Sequence, residues 1–390
     1  MLLFLLLGCP PDDDGFTRTG DKDVWMLTWG GASTDELWAV DLVEDASGTA
    51  GTDVIAVAHE TDVEPDVVAR RFDATGAEIW KTTYGTSWAD MAYVTDVVLG
   101  TAYVGGATFT GGGWSTADPL ILALDTETGD TRWSWTTDPS GGYEEVDGLC
   151  IRGEDVWFTG WTGWGASATR NDPMIGRLTT AGEEQWVVAD TTGVEWDEAN
   201  GHCACDGSTI WVTGNRDGWT YAVGGQGVVA AYAADDGARL WQADLDPDPE
   251  QEDGYGLVSD GSALYSVGPS VTGQQTQITV WATDLLGTPI WSADWGDDGA
   301  DIARAIALDG DSLVIAGTAG TDLVLLRIAT ADGALIDELV WSAGASIGAH
   351  EVVTDGISVW IAGQIAGDGD DAVLIRGQAR PFALPVVEGG

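Results

Sequence analysis

Tryptophan returns along this chain at almost constant intervals: Trp29, Trp80, Trp133, Trp186, Trp241, Trp291 and Trp341, in steps of 51, 53, 53, 55, 50 and 50 residues. A period near fifty confines the chain to repeat architectures, where each unit buries its faces against its neighbours. Every unit holds short apolar runs separated by turn residues. In the fourth, Gly201–Cys205 is followed by Asp206-Gly207, then Thr209–Thr213, Gly227–Tyr232, Asp235-Asp236-Gly237 and a last run ending at Trp241. Runs of four to six residues bounded by Asp and Gly have strand length, and Asp-Gly pairs favour tight hairpins. Four such antiparallel strands per unit describe a β-propeller blade.

The unit count fixes the ring. Val24–Trp29 reads as a fourth strand without its first three, and the C-terminal unit from His350 to Arg376 has three strands without a fourth. Together they make one blade. The expected fold is all-β, a seven-bladed β-propeller of four-stranded antiparallel blades, closed by the N-terminal strand joining the C-terminal blade and so freed of open edges. The seven tryptophans are expected to dock one blade on the next. Second-strand runs end at Gly106, Gly160, Gly214, Gly268, Gly317 and Gly363, and the aromatics Tyr103, Trp157, Trp211, Tyr265 and Trp360 just before them are expected between blades.

Lys and Arg number 15 against 64 Asp and Glu, a formal charge of −49. Such a surface repels phosphate backbones and anionic headgroups, which disfavours nucleic acid and direct membrane binding. A protein or cell-envelope partner is expected, with the chain a monomer. Residues 1–9, MLLFLLLGC, resemble the end of a bacterial lipoprotein signal peptide, with Leu6-Leu7-Gly8-Cys9 as its lipobox. The resemblance implies cleavage after residue 8 and lipidation of Cys9. The expected organisation is signal peptide 1–8, polar tether 9–22, propeller 23–380 and C-terminal tail 381–390. Attachment to the outer membrane or cell surface would be through lipid alone.

The segment Ala123-Leu-Asp125-Thr-Glu-Thr-Gly129-Asp-Thr-Arg-Trp133 resembles the tryptophan-docking motif of quinoprotein-type (PQQ-like) propellers. Weaker copies end at Trp80, Trp186 and Trp241, and the whole unit is similar to the SBBP-type repeats of bacterial secreted proteins and lipoproteins. The resemblance covers roughly residues 23–377 and implies the fold rather than the chemistry. Quinone-cofactor dehydrogenases resemble one another in a vicinal Cys-Cys pair, a calcium held by Glu and Asn, and an Asp base. Here the nearest cysteines are Cys203-Ala-Cys205, so PQQ is not expected.

Carboxylates keep the register too. Sixteen residues before the second-strand glycines stand Asp90, Glu144, Glu198, Glu252, Asp301 and the exception Ile347, while Asp35 opens the irregular first unit. A second set, Asp66, Asp118, Asp172, Asp322 and Asp371, precedes the third strands. First and third strands run the same way, so both sets belong to one face of the ring. Such acids either accept backbone N–H bonds at strand starts or concentrate a hard cation such as Ca²⁺, which needs six to eight oxygens. Cys150 and Cys203, aligned through Gly148 and Gly201, are candidates for a disulfide in an oxidising compartment, with free buried thiols as the alternative.

No His-Glu-x-x-His and no phosphate-binding glycine loop with Lys occurs in the sequence. The expectation is therefore a non-catalytic binding or scaffold module, without a required cofactor. The alternative is a secreted enzyme at the channel mouth, either a carboxylate-pair glycoside hydrolase or lyase or a quinoprotein-type dehydrogenase. An enzyme should break the repeat with unique polar residues near the axis.

Overall fold

A computed structural model of the chain describes residues 16–30, 33–44, 50–61, 64–111, 116–163, 171–191, 202–216, 225–246, 251–272, 275–296, 299–367 and 369–387. Seven antiparallel sheets follow one another along the chain. Their first strands are Glu36–Glu44, Asp90–Val98, Glu144–Arg152, Cys203–Cys205, the interrupted pair Gln251–Glu252 and Gly256–Ser259, Asp301–Asp309 and Ile347–Thr354. Each first strand contacts the first strand of the next blade, and the seventh contacts the first. These strands therefore line the axis, and the expected seven-bladed propeller is the observed fold.

The ring closes as the apolar pattern required. Trp25–Trp29 pairs with the third strand of the last blade in the register Trp25↔Arg376 to Trp29↔Ala372. The sheet extends beyond the expected four strands, because Thr17–Gly20 pairs outside Trp25–Trp29 and Phe382–Ala383 pairs with Gln378 and Ala379. Stretches assigned by polarity to a tether (9–22) and a tail (381–390) thus contribute to the sheet. Phe16 explains the first case: its ring meets Trp29 and Phe72 edge-on at 5.3 and 5.8 Å. Cys9 and the signal-like residues before it lie outside the described residues.

Five tryptophans dock as expected. Trp80, Trp133, Trp186, Trp241 and Trp291 each lie over a hairpin glycine of the next blade. A Cβ on Gly129, Gly182, Gly237, Gly287 or Gly333 would fall 2.6–2.8 Å from the ring. These glycines also hold positive φ, so the turn and the ring contact demand the same residue. The Trp80, Trp133 and Trp291 indoles donate to the carbonyls of Thr126, Thr180 and Thr330 at 2.9–3.0 Å.

The two ends of the ladder need correction. Register places Trp25, not Trp29, opposite Arg376, as Trp80 is opposite Arg71, and it is Trp25 that covers Gly76. In blade 6 that site holds Asp337, opposite Arg327. Trp29 and Trp341 sit four residues further along their strands, where they donate to Glu60 at 2.9 Å and to the Pro385 carbonyl at 2.8 Å. A four-residue offset keeps the same face of a strand, so both still pack outward from their blades, but at a different level. The second-strand aromatics Tyr103, Trp157, Trp211, Tyr265 and Trp360 are buried between blades, as expected.

Candidate functional site

Every fully described first strand carries a β-bulge at one level. The register slips between Leu37/Ala39, Ala92/Val94, Val146/Gly148, Ala303/Ala305 and Ala349/Glu351. In blade 5 the same level falls in the break between its two strand pieces. The second-strand glycines answer this bulge: a Cβ on Gly106, Gly160, Gly268 or Gly363 would stand 1.8–1.9 Å from a carbonyl oxygen of the first strand. The extra residue of a bulge is unpaired and its side chain is re-aimed. Those residues are Trp38, Tyr93, Asp147, Tyr255, Arg304 and His350, each three positions after a strand-start carboxylate or Ile347. The blade 4 position, Gly201, lies outside the described residues.

The bulge residues form an arc around one end of the channel. Trp38 stacks on His350 with ring centroids 4.2 Å apart and meets Tyr93 edge-on at 5.4 Å. Arg304 lies 4.4 Å over Tyr255. Carboxylates stand behind them: Glu36 pairs with His59 at 3.1 Å, and Glu145 accepts from Tyr143 and Trp161, both at 2.6 Å. Burial and the Arg304 charge push the His350 imidazole down to about 4, so it is neutral at physiological pH. Each position has its own chemistry, unlike the repeated carboxylates.

Beyond the arc, the first strands enclose a cavity of about 440 Å³ whose ionisable lining is Asp41, Asp96, His202 and Glu351. His202 of blade 4 reaches Glu351 of blade 7 at 2.8 Å, three blades away, so this ion pair spans the axis. Burial disfavours the charged imidazole, but Glu351, Asp96 and Asp41 more than offset it and raise the His202 pKa. Burial pushes Asp96 up to about 7, with Glu44 adding to it. Burial and the charge of Asp96 raise Asp41 well above the carboxylate range.

Asp41 and Asp96 also latch adjacent blades. Asp41 accepts from the Val97 N–H at 2.7 Å, and Asp96 accepts from the backbone of Ile151. The next member of the series is covalent: Cys150 is bonded to Cys205, with Cα atoms 6.1 Å apart, within disulfide range. The expected Cys150–Cys203 bridge is thereby corrected. Residues at equivalent levels of two blades point the same way around the ring and never face each other, whereas an offset of one residue reverses the face. Cys150 is opposite Trp157, whose equivalent Trp211 is opposite Ala204. Cys203 and Cys205 lie one step to either side of Ala204 and share the face turned to Cys150, and the stagger of the two strands brings Cys205 to it. Cys203 is a free buried thiol, pushed by burial up to about 12.

The expected carboxylate ring does not converge on the mouth. Asp35, Asp90, Glu144, Glu252 and Asp301 are buried at their strand starts; Glu198 lies outside the described residues. Several serve as local caps: Thr61 N–H donates to Asp35 and Thr86 N–H to Asp90, at 2.7 and 2.6 Å. The two acidic sets meet junction by junction instead. Parallel bridges Ala117↔Tyr143 and Thr276↔Ala300 tie a third-strand start to the next blade's first strand. A Cβ on Gly30 would touch Asp371 at 2.4 Å and Asp35 at 3.0 Å. Asp66, Asp172 and Asp322 keep the equivalent third-strand positions in their blades. Among the described residues only Asp118, Asp138 and Glu144 bring three carboxylate oxygens within 4.8 Å of one another.

The bulge positions share no residue type from blade to blade, so the spacing of repeated residues does not mark them. Counting three residues past each strand-start carboxylate would have found them.

No protein-family model matches the sequence, and comparison with curated proteins finds no match. Solved structures do share the architecture. Quinohemoprotein alcohol dehydrogenase from Comamonas testosteroni aligns with a TM-score of 0.51 at 12% identity, over 97% of this chain and 78% of that one. Sqt1 from Chaetomium thermophilum aligns with a TM-score of 0.54 at 12% identity, over 95% and 88% of the two chains. At this identity the likeness shows a β-propeller and nothing of its chemistry.

Proposed function

We propose that the chain is an extracytoplasmic, non-catalytic binding module, lipid-anchored through Cys9 and monomeric, which receives a basic group of a protein or cell-envelope partner at the channel mouth. The observation that carries this reading is the arc of bulge residues above an acidic cavity. Trp38, Tyr93 and Tyr255 offer aromatic faces, and Glu36, Asp41, Asp96, Glu145, Asp147 and Glu351 outnumber Arg304 and His202 around the same channel. Aromatic faces backed by carboxylates suit an ammonium or guanidinium group. The interblade disulfide supports an oxidising compartment, and the charge of −49 supports attraction of basic partners.

The test is a tryptophan-fluorescence titration with a hexalysine peptide at about 150 mM NaCl, where long-range surface attraction is screened. Saturable binding that weakens at least tenfold in Trp38→Ala and is unchanged in the exposed control Asp235→Asn is expected. Equal weakening in both variants, or no saturation, would reject the mouth as the site. A second reading rests on Asp96, a cavity carboxyl pushed to about 7 beside another raised acid, which is the signature of a general acid. Release of reducing sugar from a polysaccharide panel, abolished by Asp96→Asn, would decide for a glycoside-cleaving enzyme.

A further inference from the structure

We infer that the junction between blades 2 and 3 is a Ca²⁺ site built from Asp118, Asp138 and Glu144, independent of what the channel binds. Asp118 opens the third strand of blade 2, Glu144 opens the first strand of blade 3, and Asp138 lies in the loop joining the blades. Their nearest carboxylate oxygens all fall within 4.8 Å of one another. Ligand oxygens on opposite sides of a calcium ion are separated by twice the metal–oxygen distance, about 4.6–5.2 Å. One ion can therefore touch all three, and the three groups carry up to six oxygens, the lower limit of calcium's usual coordination.

A second observation separates this cluster from an ordinary acidic surface. Glu144 is fully buried, and its Oε2 is a buried atom that accepts no hydrogen bond. The other oxygen, Oε1, accepts from Thr162 Oγ1 at 3.0 Å and from Ser140. A buried carboxylate oxygen without a donor is costly unless a cation faces it. Asp138 is held in place by the Gly141 N–H at 2.6 Å, so the loop presents it with little ordering left to pay. Burial and the neighbouring acids push Asp118 up to about 6, consistent with three carboxyls that share one space and no basic side chain. The preceding junction repeats part of the design: Asp90 is fully buried and its Oδ1 also lacks a donor. Among the described residues no third carboxylate joins it, which singles out the Asp138 junction.

The rings of Tyr143 and Trp161, stacked at 4.8 Å beside Glu144, provide a reporter. Titration of the chelator-treated protein with Tb³⁺ at about 150 mM NaCl, exciting the aromatics, should give saturable sensitised emission that Ca²⁺ displaces and Mg²⁺ displaces far less well. Asp138→Asn, at an exposed loop position, should weaken Ca²⁺ at least tenfold while leaving the fold intact. Asp118→Asn should do the same, and Asp322→Asn, at the equivalent place in blade 6, should not. Ca²⁺ should also raise the melting temperature of the wild type and not of Asp138→Asn. Absence of saturable emission, or equal affinity in Asp138→Asn and wild type, would overturn the assignment. Neither outcome bears on hexalysine binding at the mouth.

Discussion

At the scale of single residues, the second-strand glycines and the bulges explain each other. An ideal Cβ on Gly160 would stand 1.9 Å from the Glu145 carbonyl oxygen and 2.9 Å from its carbon, so the first strand must move to admit a methyl group. Blade 1 has Ala58 at this level, opposite Leu37, which indicates that a displaced bulge can take one. Gly160→Ala should therefore fold but lose about 1–3 kcal/mol in denaturant unfolding, the usual range for overpacking. A loss within error of zero would mean the bulge is soft and the glycine serves another purpose. The residues also show what was legible beforehand. Five of seven docking tryptophans and the glycine markers follow from spacing, because docking recurs in every blade. Trp29 and Trp341 were misplaced because positions four apart on a strand share a face, and only register separates them. The disulfide partner was misread for a related reason, since Cys203 and Cys205 are two apart and share a face, and only the register between blades tells which of them meets Cys150. The mouth residues Trp38, Tyr93, Arg304 and His350 were passed over because the bulge makes them distinctive exactly where the repeat offers no common residue type.

At the scale of the strand, the first strands do two jobs: they latch neighbours through Asp41, Asp96 and Cys150, and they confine charge inside the ring. That confinement predicts a pH dependence whose sign can be worked out. Asp96 is raised from 3.8 to about 7, Asp41 is raised well above its ordinary value and His202 is raised above 6.5. In each case the folded protein binds the proton more tightly. The resulting stability is complete below the unfolded pKa and is lost as pH rises through the folded one. For Asp96 the loss spans from about 4 to about 7; for His202 it begins near 6.5. His350, lowered to about 4, acts the other way, adding stability above 6.5 that disappears as pH falls through 4. Asp96→Asn isolates one contribution, since an amide oxygen can still accept from Ile151. Its melting temperature should exceed that of wild type near pH 8, and the difference should shrink steadily towards about pH 4. A difference that stays constant across this range would show that Asp96 ionisation is not the cause.

At the scale of the whole molecule, the ring is held shut by a strand from the opposite end of the chain, so closure can be tested as a discrete event. The seam is well bonded. Trp25 covers Gly76 and donates to the Ala74 carbonyl at 3.1 Å, while Trp29 donates to Glu60. Arg70, almost completely buried, forms ion pairs with Glu60 and Glu78 and lies 5.1 and 5.5 Å over Phe16 and Trp29. Removing residues 1–30 would strip the tryptophan contacts and the rings over Arg70, leave its ion pairs with Glu60 and Glu78 at an open face, and leave the third strand of blade 7 without its partner from Ala372 to Arg376. Single core tryptophans typically contribute about 3–5 kcal/mol when truncated, so Trp25→Ala alone should weaken the seam measurably. The full deletion should do more than lower stability: its bare edge should recruit another chain. Size-exclusion chromatography is expected to show larger species for the truncated protein than for the intact chain at the same concentration. Adding back a peptide spanning residues 16–30 should restore the elution of the intact chain by supplying the missing strands in trans. A truncated chain that elutes and melts like the intact one would mean the first-strand ring, with its aspartate latches and disulfide, closes the propeller without the N-terminal strands.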